Sequence, residues 1–469
     1  MGGGEMQLLA PTSSAESAQM EYIVGSPQMS YFKTVYRRHT NFAMESIRES
    51  FVTKPMLDQV SKNKFTCTFT GRRADALKEI YFCFQLPDIY SDDTMRFQWI
   101  DKLANYLIFR CSITLDNGRS IDEQYGEWMD IWNSLTLTDS KRTFYDEMVG
   151  NSASNSAPLD SRPRVKIRNN RMQYKFYPNG RAGSPSIPGR KFYVPLPFWF
   201  TRNPNLVLPL CALKMQSVNI NIETRSLNEL YQVYDGIKSE YVSPETFMSR
   251  HVGVNANIDR FLAPPNTIPV GATPVSAVDL NGYLECQYIF LDRDERIEMS
   301  LGHHKLLVEQ VFRFEYTGLT SRAVVNLQLN NPVKELVWVA RRMDANRRNE
   351  WSKFTERDGS SILTTGSLLW QKNHLRVEEK PSEFFQFMQP WQHHSGAPRP
   401  GIHVYSFALF PEKLQPSGAY NTGIITANQL VVTSRPPTEA DLQYEVICYV
   451  VAYNVFEAMS GIGHLKFTP

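Results

Sequence analysis

Side chains of alternating character recur along much of this chain with a period of two. "KFTCTFT" places Phe65, Cys67 and Phe69 on one face and Lys64, Thr66, Thr68 and Thr70 on the other. "SVNINIET" sets Val218, Ile220 and Ile222 against Asn219, Asn221 and Glu223. "QVFRFEYT" sets Phe312, Phe314 and Tyr316 against Arg313 and Glu315, and "VNLQLNN" alternates Val325, Leu327 and Leu329 with Asn326, Gln328 and Asn330. Successive side chains of a strand point to opposite faces, so each segment has one face in a core and one in water. That pattern belongs to antiparallel sandwiches and not to a parallel α/β sheet. The fold class expected is all-β.

Two segments break the alternation. "IYFCFQL" at 80–86 and "VICYVVAYNVF" at 446–456 are apolar on both faces. Such strands need cover on both sides, by a second sheet and by another domain or subunit. Helical signals are few and short. "DEQYGEWMDIWNSL" spaces Tyr125, Trp128, Trp132 and Leu135 along one helical stripe. "DRDERIEMSLG" offers Asp292 and Glu295 as a capping box and Gly302 as a stop. "PSEFFQFMQ" opens with Pro381, suited to a first turn. Each reads as an insertion between strands.

Turn-rich stretches lie at 151–164, 202–209 and 263–275, and a domain boundary is expected near Leu227. The halves on either side end alike. "KFYVPLPFWF", "TRNPNLVLPL" and "SVNINIE" in the first parallel "IHVYSFALF", "PEKLQPSGAYNTG" and "ANQLVVT" in the second, which closes with "YEVICYVVAYNVF". The duplication is one of architecture. Two tandem eight-stranded jelly rolls fit the length, the first over 41–226, a linker and loop segment over 227–280, and the second over 281–469 with a C-terminal tail.

Fifty Lys and Arg face 48 Asp and Glu, a net charge of +2. A dedicated nucleic-acid binder shows a basic excess, so no specific nucleic acid is expected. The six cysteines form no Cys-x-x-Cys pair and fit a reducing compartment. No Asn-x-Ser/Thr sequon occurs. "MGGGEMQLL" lacks the basic start and apolar core of a signal peptide, and the longest apolar run is too short to span a bilayer, so a soluble protein is expected.

Candidate chemistry is sparse. His303–His304 and His393–His394 are adjacent pairs, which on a strand would point to opposite faces, so solvated loop or helix-end histidines are the simpler reading. The acids of "DRDER" fit a helix start better than acid–base catalysis. "ARRMDANRRNEW" carries Arg341, Arg342, Arg347 and Arg348 after an apolar strand and reads as a basic loop at a subunit contact. No catalytic residues, metal site or cofactor are expected. "SPQMSYFKTVYRRHTNF" packs Lys33, Arg37, Arg38 and His39 among Tyr31, Phe32 and Tyr36. Basic charge with aromatic rings suits nucleic acid, but equally an arm that grips protein.

"SPQMSYFKTVYRRHTNFAMESI" resembles the N-terminal signature of the major capsid proteins of nucleocytoplasmic large DNA viruses. Four further blocks follow in the family's order: "FWFTRNPNLVLPLCALKMQSVNINIETRSLNEL", "NNPVKELVWVARR", "VYSFALFPEKLQPSGAYN" and "YVVAYNVFEAMSGIGHLKF". The resemblance implies a double jelly roll, and a homotrimer of pseudo-hexagonal outline tiled into an icosahedral capsid beside neighbouring capsomers. It implies minor capsid proteins beneath the shell and an internal membrane near it, without insertion. Residues 1–40 would be an inner arm contacting neighbouring protein through Tyr31, Phe32, Lys33, Tyr36, Arg37, Arg38 and His39. The location implied is the virion, after synthesis in the host cytoplasm. After "GAYN" the family usually continues with a Ser-Arg-Ile-Asp-like segment where this chain has "TGIITANQLVV", so a main capsomer and a capsid paralogue both stay open. From the residues alone, a carbohydrate-binding β-sandwich and a jelly-roll metalloenzyme stand behind the structural reading.

Overall fold

The computed structural model describes Ser26, Tyr31, Tyr36 and residues 38–467, apart from 72, 91–95, 117, 151–164, 169–170, 175–184, 186, 236, 239, 248–255, 263–276, 371–373, 424–427 and 438–441. The chain divides into two units, Met1–Phe42 and Ala43–Pro469. Eight strands build a first sandwich: β1 (Phe42–Glu49), β2 (Lys64–Phe69), β3 (Ala76–Gln85), β4 (Ile108–Leu115), β5 (Ser120–Tyr125), β6 (Lys191–Pro195), β7 (Val218–Thr224) and β8 (Tyr283–Leu291). They form two four-stranded sheets in the orders β1-β8-β3-β6 and β2-β7-β4-β5.

Eight more build a second: β9 (His304–Leu319), β10 (Arg322–Leu327), β11 (Pro332–Arg342), β12 (Leu363–Trp370), β13 (His374–Pro381), β14 (Ile402–Ser406), β15 (Asn428–Ser434) and β16 (Tyr444–Met459). Their sheets run β9-β16-β11-β14 and β10-β15-β12-β13. Counted within each sandwich, both read 1-8-3-6 and 2-7-4-5, so the same jelly-roll path is wound twice. The likeness of β6 to β14 and of β7 to β15, expected from the sequence, follows from this order, since they hold the same places in the two rolls.

The eighth strand of the first roll corrects the expected division. Tyr283–Leu291 was placed at the opening of the second roll, but it pairs antiparallel with β3, Tyr283 opposite Cys83 and Leu284 opposite Phe82. Its Leu284, Cys286 and Tyr288 lie in the first core. Residues 227–280 are an excursion between β7 and β8, not a link between rolls. Tyr231, Val233 and Phe261 from that excursion are buried in the same core.

The alternation is realised in register. On β7, Val218, Ile220 and Ile222 lie opposite Phe69, Cys67 and Phe65 of β2, all buried. On the outer face the Thr66 hydroxyl donates to Asn221 Oδ1 at 2.8 Å, Thr68 to Asn219 Oδ1 at 2.7 Å, and Asn221 Nδ2 to Thr114 at 3.0 Å. Aromatic rings fill the first core, with Phe84 stacked on Phe192 at 5.0 Å. In the second core Trp338 meets the edge of Phe385 at 4.9 Å. All six cysteines are free and buried, and burial pushes the Cys67 thiol up to about 12.

Helices interrupt the strands where insertions were expected, with shifted details. Helix α1 (Gly126–Thr136) begins only after Asp122–Tyr125 has finished β5. Gly126 permits that turn: a Cβ there would lie 2.1 Å from the carbonyl oxygens of both Asn105 and Ile108. Helix α2 (Asp139–Val149) follows it directly. Helix α3 (Arg293–Leu301) is capped by Asp292, whose side chain accepts from the Arg293 N–H. The reciprocal capping box stands elsewhere, between Ser226 and Glu229. The helix after Pro381 is real but passes through a π-turn at Phe384–Met388 before the α-helical Gln389–His393.

Adjacent residues of β2 test the alternation. Phe69→Ala should cost about 3–5 kcal/mol, as for other buried Phe truncations. Thr68→Ala, one residue away on the wet face, should cost under about 1 kcal/mol. Denaturant midpoints of the two variants measure the difference, and similar losses would refute the assigned faces.

Candidate functional site: the junction between the two sandwiches

The strand expected to need cover on both faces receives it from within the chain. On β16, Tyr444, Val446, Cys448, Val450 and Ala452 enter the second core. Ile447, Tyr449 and Val451, on the other face, join Val311, Val337, Val339, Ile402 and Val404 in a separate buried cluster. Its remaining members are Trp128, Ile131, Trp132 and Leu135 of α1, with Phe354. The spacing i, i+3, i+4, i+7 puts these four on one side of α1. Trp128 lies 5.2 Å from Tyr449 and 5.5 Å from Trp132, centroid to centroid. Met129 points the other way, into the first core. Thus α1 belongs to the first roll and roofs the outer face of sheet β9-β16-β11-β14 in the second.

Both carboxylates of α1, Glu127 and Asp130, are buried as well, and the second roll supplies a counterion to each. Arg341 of β11 reaches Glu127 Oε1 at 3.3 Å and Glu445 Oε2 at 2.5 Å, while the Tyr449 hydroxyl donates to Glu127 Oε2 at 3.0 Å. Asp130 pairs with Lys102 and with Arg399, and accepts from the Tyr106 hydroxyl at 3.1 Å. Burial pushes the Asp130 carboxyl up, but the two cations outweigh it and hold the group below its usual range. A lone charge in so apolar a place would be strongly unfavourable, and removal of one partner of a buried pair costs about 3–5 kcal/mol. The C-terminal end of α1 is fixed by backbone: Gly396 N–H donates to Leu135 O at 2.7 Å, where a Cβ would sit only 2.5 Å from that oxygen. Asn454, the polar residue in the apolar strand, donates to Gln310 Oε1 at 2.7 Å, and Gln310 donates across the junction to Ile121 O at 2.5 Å.

This geometry revises two of the arginines expected at a subunit contact. Arg341 and Arg342 are 5% and 8% exposed, because β11 continues through both instead of ending at a basic loop. Arg342 is paired inside the chain with Asp344 at 2.9 Å and Glu356 at 2.6 Å. Arg347 is exposed, and Arg348 is half-buried against Glu240 at 2.8 Å. Of the arm residues, Tyr31, Tyr36, Arg38 and His39 are exposed. Phe32, Lys33 and Arg37 lie outside the described residues.

The histidine pairs also part company. His393 is half-buried at its helix end, its ring 3.1 Å from Leu409 O. His394, expected to be solvated, is fully buried beside Trp132 of α1, at 6.4 Å between rings. Its Nε2 lies 3.2 Å from Glu335 Oε2, an ion contact outside hydrogen-bond alignment, and its Nδ1 faces Glu412 Oε1 at 3.2 Å. A ring with both nitrogens on carboxylates is an imidazolium. Nearby, Glu309 takes Arg202 at 3.2 Å and Lys334 at 2.5 Å. Glu309, Glu335 and Glu412 thus face Arg202, Lys334 and His394, with the His394 ring set between two of the carboxylates. Burial pulls its pKa down, but Glu335 and Glu412 prevail and raise it to about 9. His403, stacked on Trp338 at 5.7 Å without a carboxylate, is instead driven by burial down to about 4. Glu127, Asp130, Glu335 and Arg399 carry no signal of their own in the sequence, and His394 reads there only as a solvated histidine. The one available signal was acidic residues interrupting the apolar stripe of α1.

The His394 pair gives a pH dependence with a definite sign. The folded-state pKa lies above the ordinary 6.5, so its stabilisation is complete below about pH 6.5 and disappears as pH rises through about 9. The expected loss is about 3 kcal/mol. Thermal unfolding midpoints should fall between pH 7 and 10 more steeply in the native chain than in His394→Gln. Parallel profiles would show that His394 carries no such linkage.

Comparison with known proteins agrees with this architecture. Residues 30–292 match the family described as "Major capsid protein N-terminus", and residues 295–464 that described as "Large eukaryotic DNA virus major capsid protein". The two matches meet just after β8, where the sheets divide. The major capsid protein of Pyramimonas orientalis virus is 30% identical, and that of Phaeocystis pouchetii virus 29%, each over the full length of both chains. A quasi-atomic model of the PBCV-1 virus capsid shares the fold, with a TM-score of 0.66 at 21% identity, over 94% of this chain and 100% of that one. Two jelly rolls in tandem, locked by a buried junction and matched end to end by shell proteins, place this chain in the family of large eukaryotic DNA virus major capsid proteins, structural proteins and not enzymes.

Proposed function

We propose that the chain is the repeating unit of a virus shell, working as a homotrimer of pseudo-hexagonal outline that tiles an icosahedral capsid. The observation that carries this is the doubled strand order. Two rolls of one topology in each chain give three chains six near-equivalent rolls, so a three-chain particle can present six similar edges to its neighbours. The buried junction makes each pair of rolls a rigid tile, since α1 cannot leave β16 without exposing two tryptophans, unpairing Glu127 from Arg341 and taking Arg399 from Asp130. Neighbouring capsomers and minor capsid proteins beneath the shell are the partners. An internal membrane is a neighbour only, and among the described residues no helix is long and apolar enough to cross one. Assembly would take place in the host cytoplasm.

Light scattering of the purified protein should give three chains per particle, and negative-stain images a hexagonal outline. A persistent monomer at micromolar concentration would overturn the reading.

Residues 1–40 act in this scheme as an arm on neighbouring protein through Tyr31, Phe32, Lys33, Tyr36, Arg37, Arg38 and His39, joined at the surface by Arg347 and Arg348. Deleting 1–40 should leave cooperative unfolding of the rolls intact and impair shell assembly. Loss of cooperative unfolding would assign the arm to the core instead.

A further inference from the structure

The second roll carries a helix at the place α1 holds in the first. Between the fifth and sixth strands of the first roll stands α1, and between the fifth and sixth of the second, β13 and β14, stands the helical segment 382–393. Both are anchored alike. Met129 of α1 enters the first core, and Phe385 of the second helix enters the second. Both carry an aromatic pair four residues apart on the side away from that anchor, Trp128 and Trp132 in α1, Phe387 and Trp391 in the second helix. The α1 pair is buried on the neighbouring roll. The second pair is bare, with Phe387 64% and Trp391 88% exposed. Met388, Leu409 and Phe410 are exposed too, and Leu409 O is held by the His393 ring at 3.1 Å. Large apolar side chains exposed together on one helix and the loop beside it suit a protein contact.

The surface that would receive it is present on the first roll. α1 covers the outer face of the sheet ordered 1-8-3-6 in the second roll, where Val404, Val337 and Tyr449 lie opposite one another across β14, β11 and β16. The 1-8-3-6 sheet of the first roll has the matching row, Tyr193, Cys83 and Tyr283 across β6, β3 and β8. Tyr193 is 41% exposed, and the Arg48 guanidinium sits 3.9 Å from the centre of the Tyr283 ring. The helix pair is bare in a single chain, and the row on the first roll exposes Tyr193 at one end with Tyr283 half-buried and Cys83 buried at its centre, so the helix does not cover that row within one chain.

We infer that the helix bearing Phe387 and Trp391 docks on the outer face of sheet β1-β8-β3-β6 of a second copy of this chain, repeating between chains the contact that α1 makes within one. The contact is head to tail, and head-to-tail contacts generate rings when the rotation closes. The inference rests on the trimer proposed above and names the surfaces that close it.

Trp391→Asp and Tyr193→Asp each remove one side of the contact at an exposed position, so both variants should fold, with native circular dichroism and cooperative melting. Each should weaken trimer association about 30-fold or more per contact, as expected for an aromatic hot spot. Mixing the two variants should give a paired species and no ring, because only one intact donor meets one intact acceptor. Trp391→p-benzoylphenylalanine, photolysed in the full-length protein, should attach to peptides containing Tyr193 or Tyr283 of another copy, distinguished by isotopic labelling. A native trimer that survives both Asp substitutions, or that crosslinks elsewhere, overturns the docking while leaving the trimer standing. A native chain that is monomeric overturns both.

Discussion

A β-sheet has two faces, and a sandwich buries only one. What becomes of the other face of sheet β9-β16-β11-β14 governs the rest of this molecule. Its centre is aliphatic on both sides, so β16 contributes Val446 and Val450 to one core and Ile447 and Val451 to another. Without a roof the second set would stand in water, and each such side chain is worth about 1.5–3 kcal/mol when buried. The roof is α1, an insertion in the other roll. Two domains that could have been beads on a string are thereby one body, and their relative placement is set by side-chain packing and not by the connecting segment.

Burial of that face brings the charges with it. A helix between two domains has no free side for polar residues, so Glu127 and Asp130 are enclosed with the tryptophans. Each then needs a cation at fixed geometry, which Arg341 and Arg399 provide from the opposite roll. Such pairs add little net stability over an apolar contact. Their effect is on register: α1 shifted by one residue would turn both carboxylates away from the cations placed for them. The network around His394 works in the same way at the other edge of α1, through Glu309 and Glu335.

The features legible in the sequence were those set by local periodicity. Alternation at 64–70 and 218–224 identified strands, their faces and the sandwich class, because the pleat enforces a period of two wherever one face is wet. The two-sided run at 446–456 correctly signalled a second cover, but not its source. What stayed hidden depends on long-range pairing. Tyr283–Leu291 has the pattern of any half-buried strand, and nothing local says that it returns across residues 225–282 to lie beside β3. Arg341 and Arg342 look like a basic loop because their partners, Glu127, Glu445 and Glu356, are far away in sequence. His394 looks solvated for the same reason, since its carboxylates arrive from β11 and from the segment after β14. The adjacent His393, with the same local context, is only half-buried and meets no carboxylate in hydrogen-bond contact among the described residues, its ring lying against Leu409 O.

The contrast between the two 1-8-3-6 sheets has a physical logic. The outer face of the second is aliphatic because α1 reaches it during folding of the same chain, at high effective concentration, and it never needs to be soluble alone. Under the docking proposed above, the outer face of the first stays in water until a second copy arrives. It is built of Tyr81, Tyr193 and Tyr283 with Glu79, Glu285 and Arg48 among them: the Tyr81 hydroxyl donates to Glu79 at 2.9 Å and Ser46 to Glu285 at 2.7 Å. Tyrosine offers area to a partner while its hydroxyl stays hydrated. A face of that composition tolerates solvent without promoting indiscriminate association, and still presents rings against which an aromatic helix can pack. One topology, wound twice, is thus given two surface chemistries according to when each face is covered.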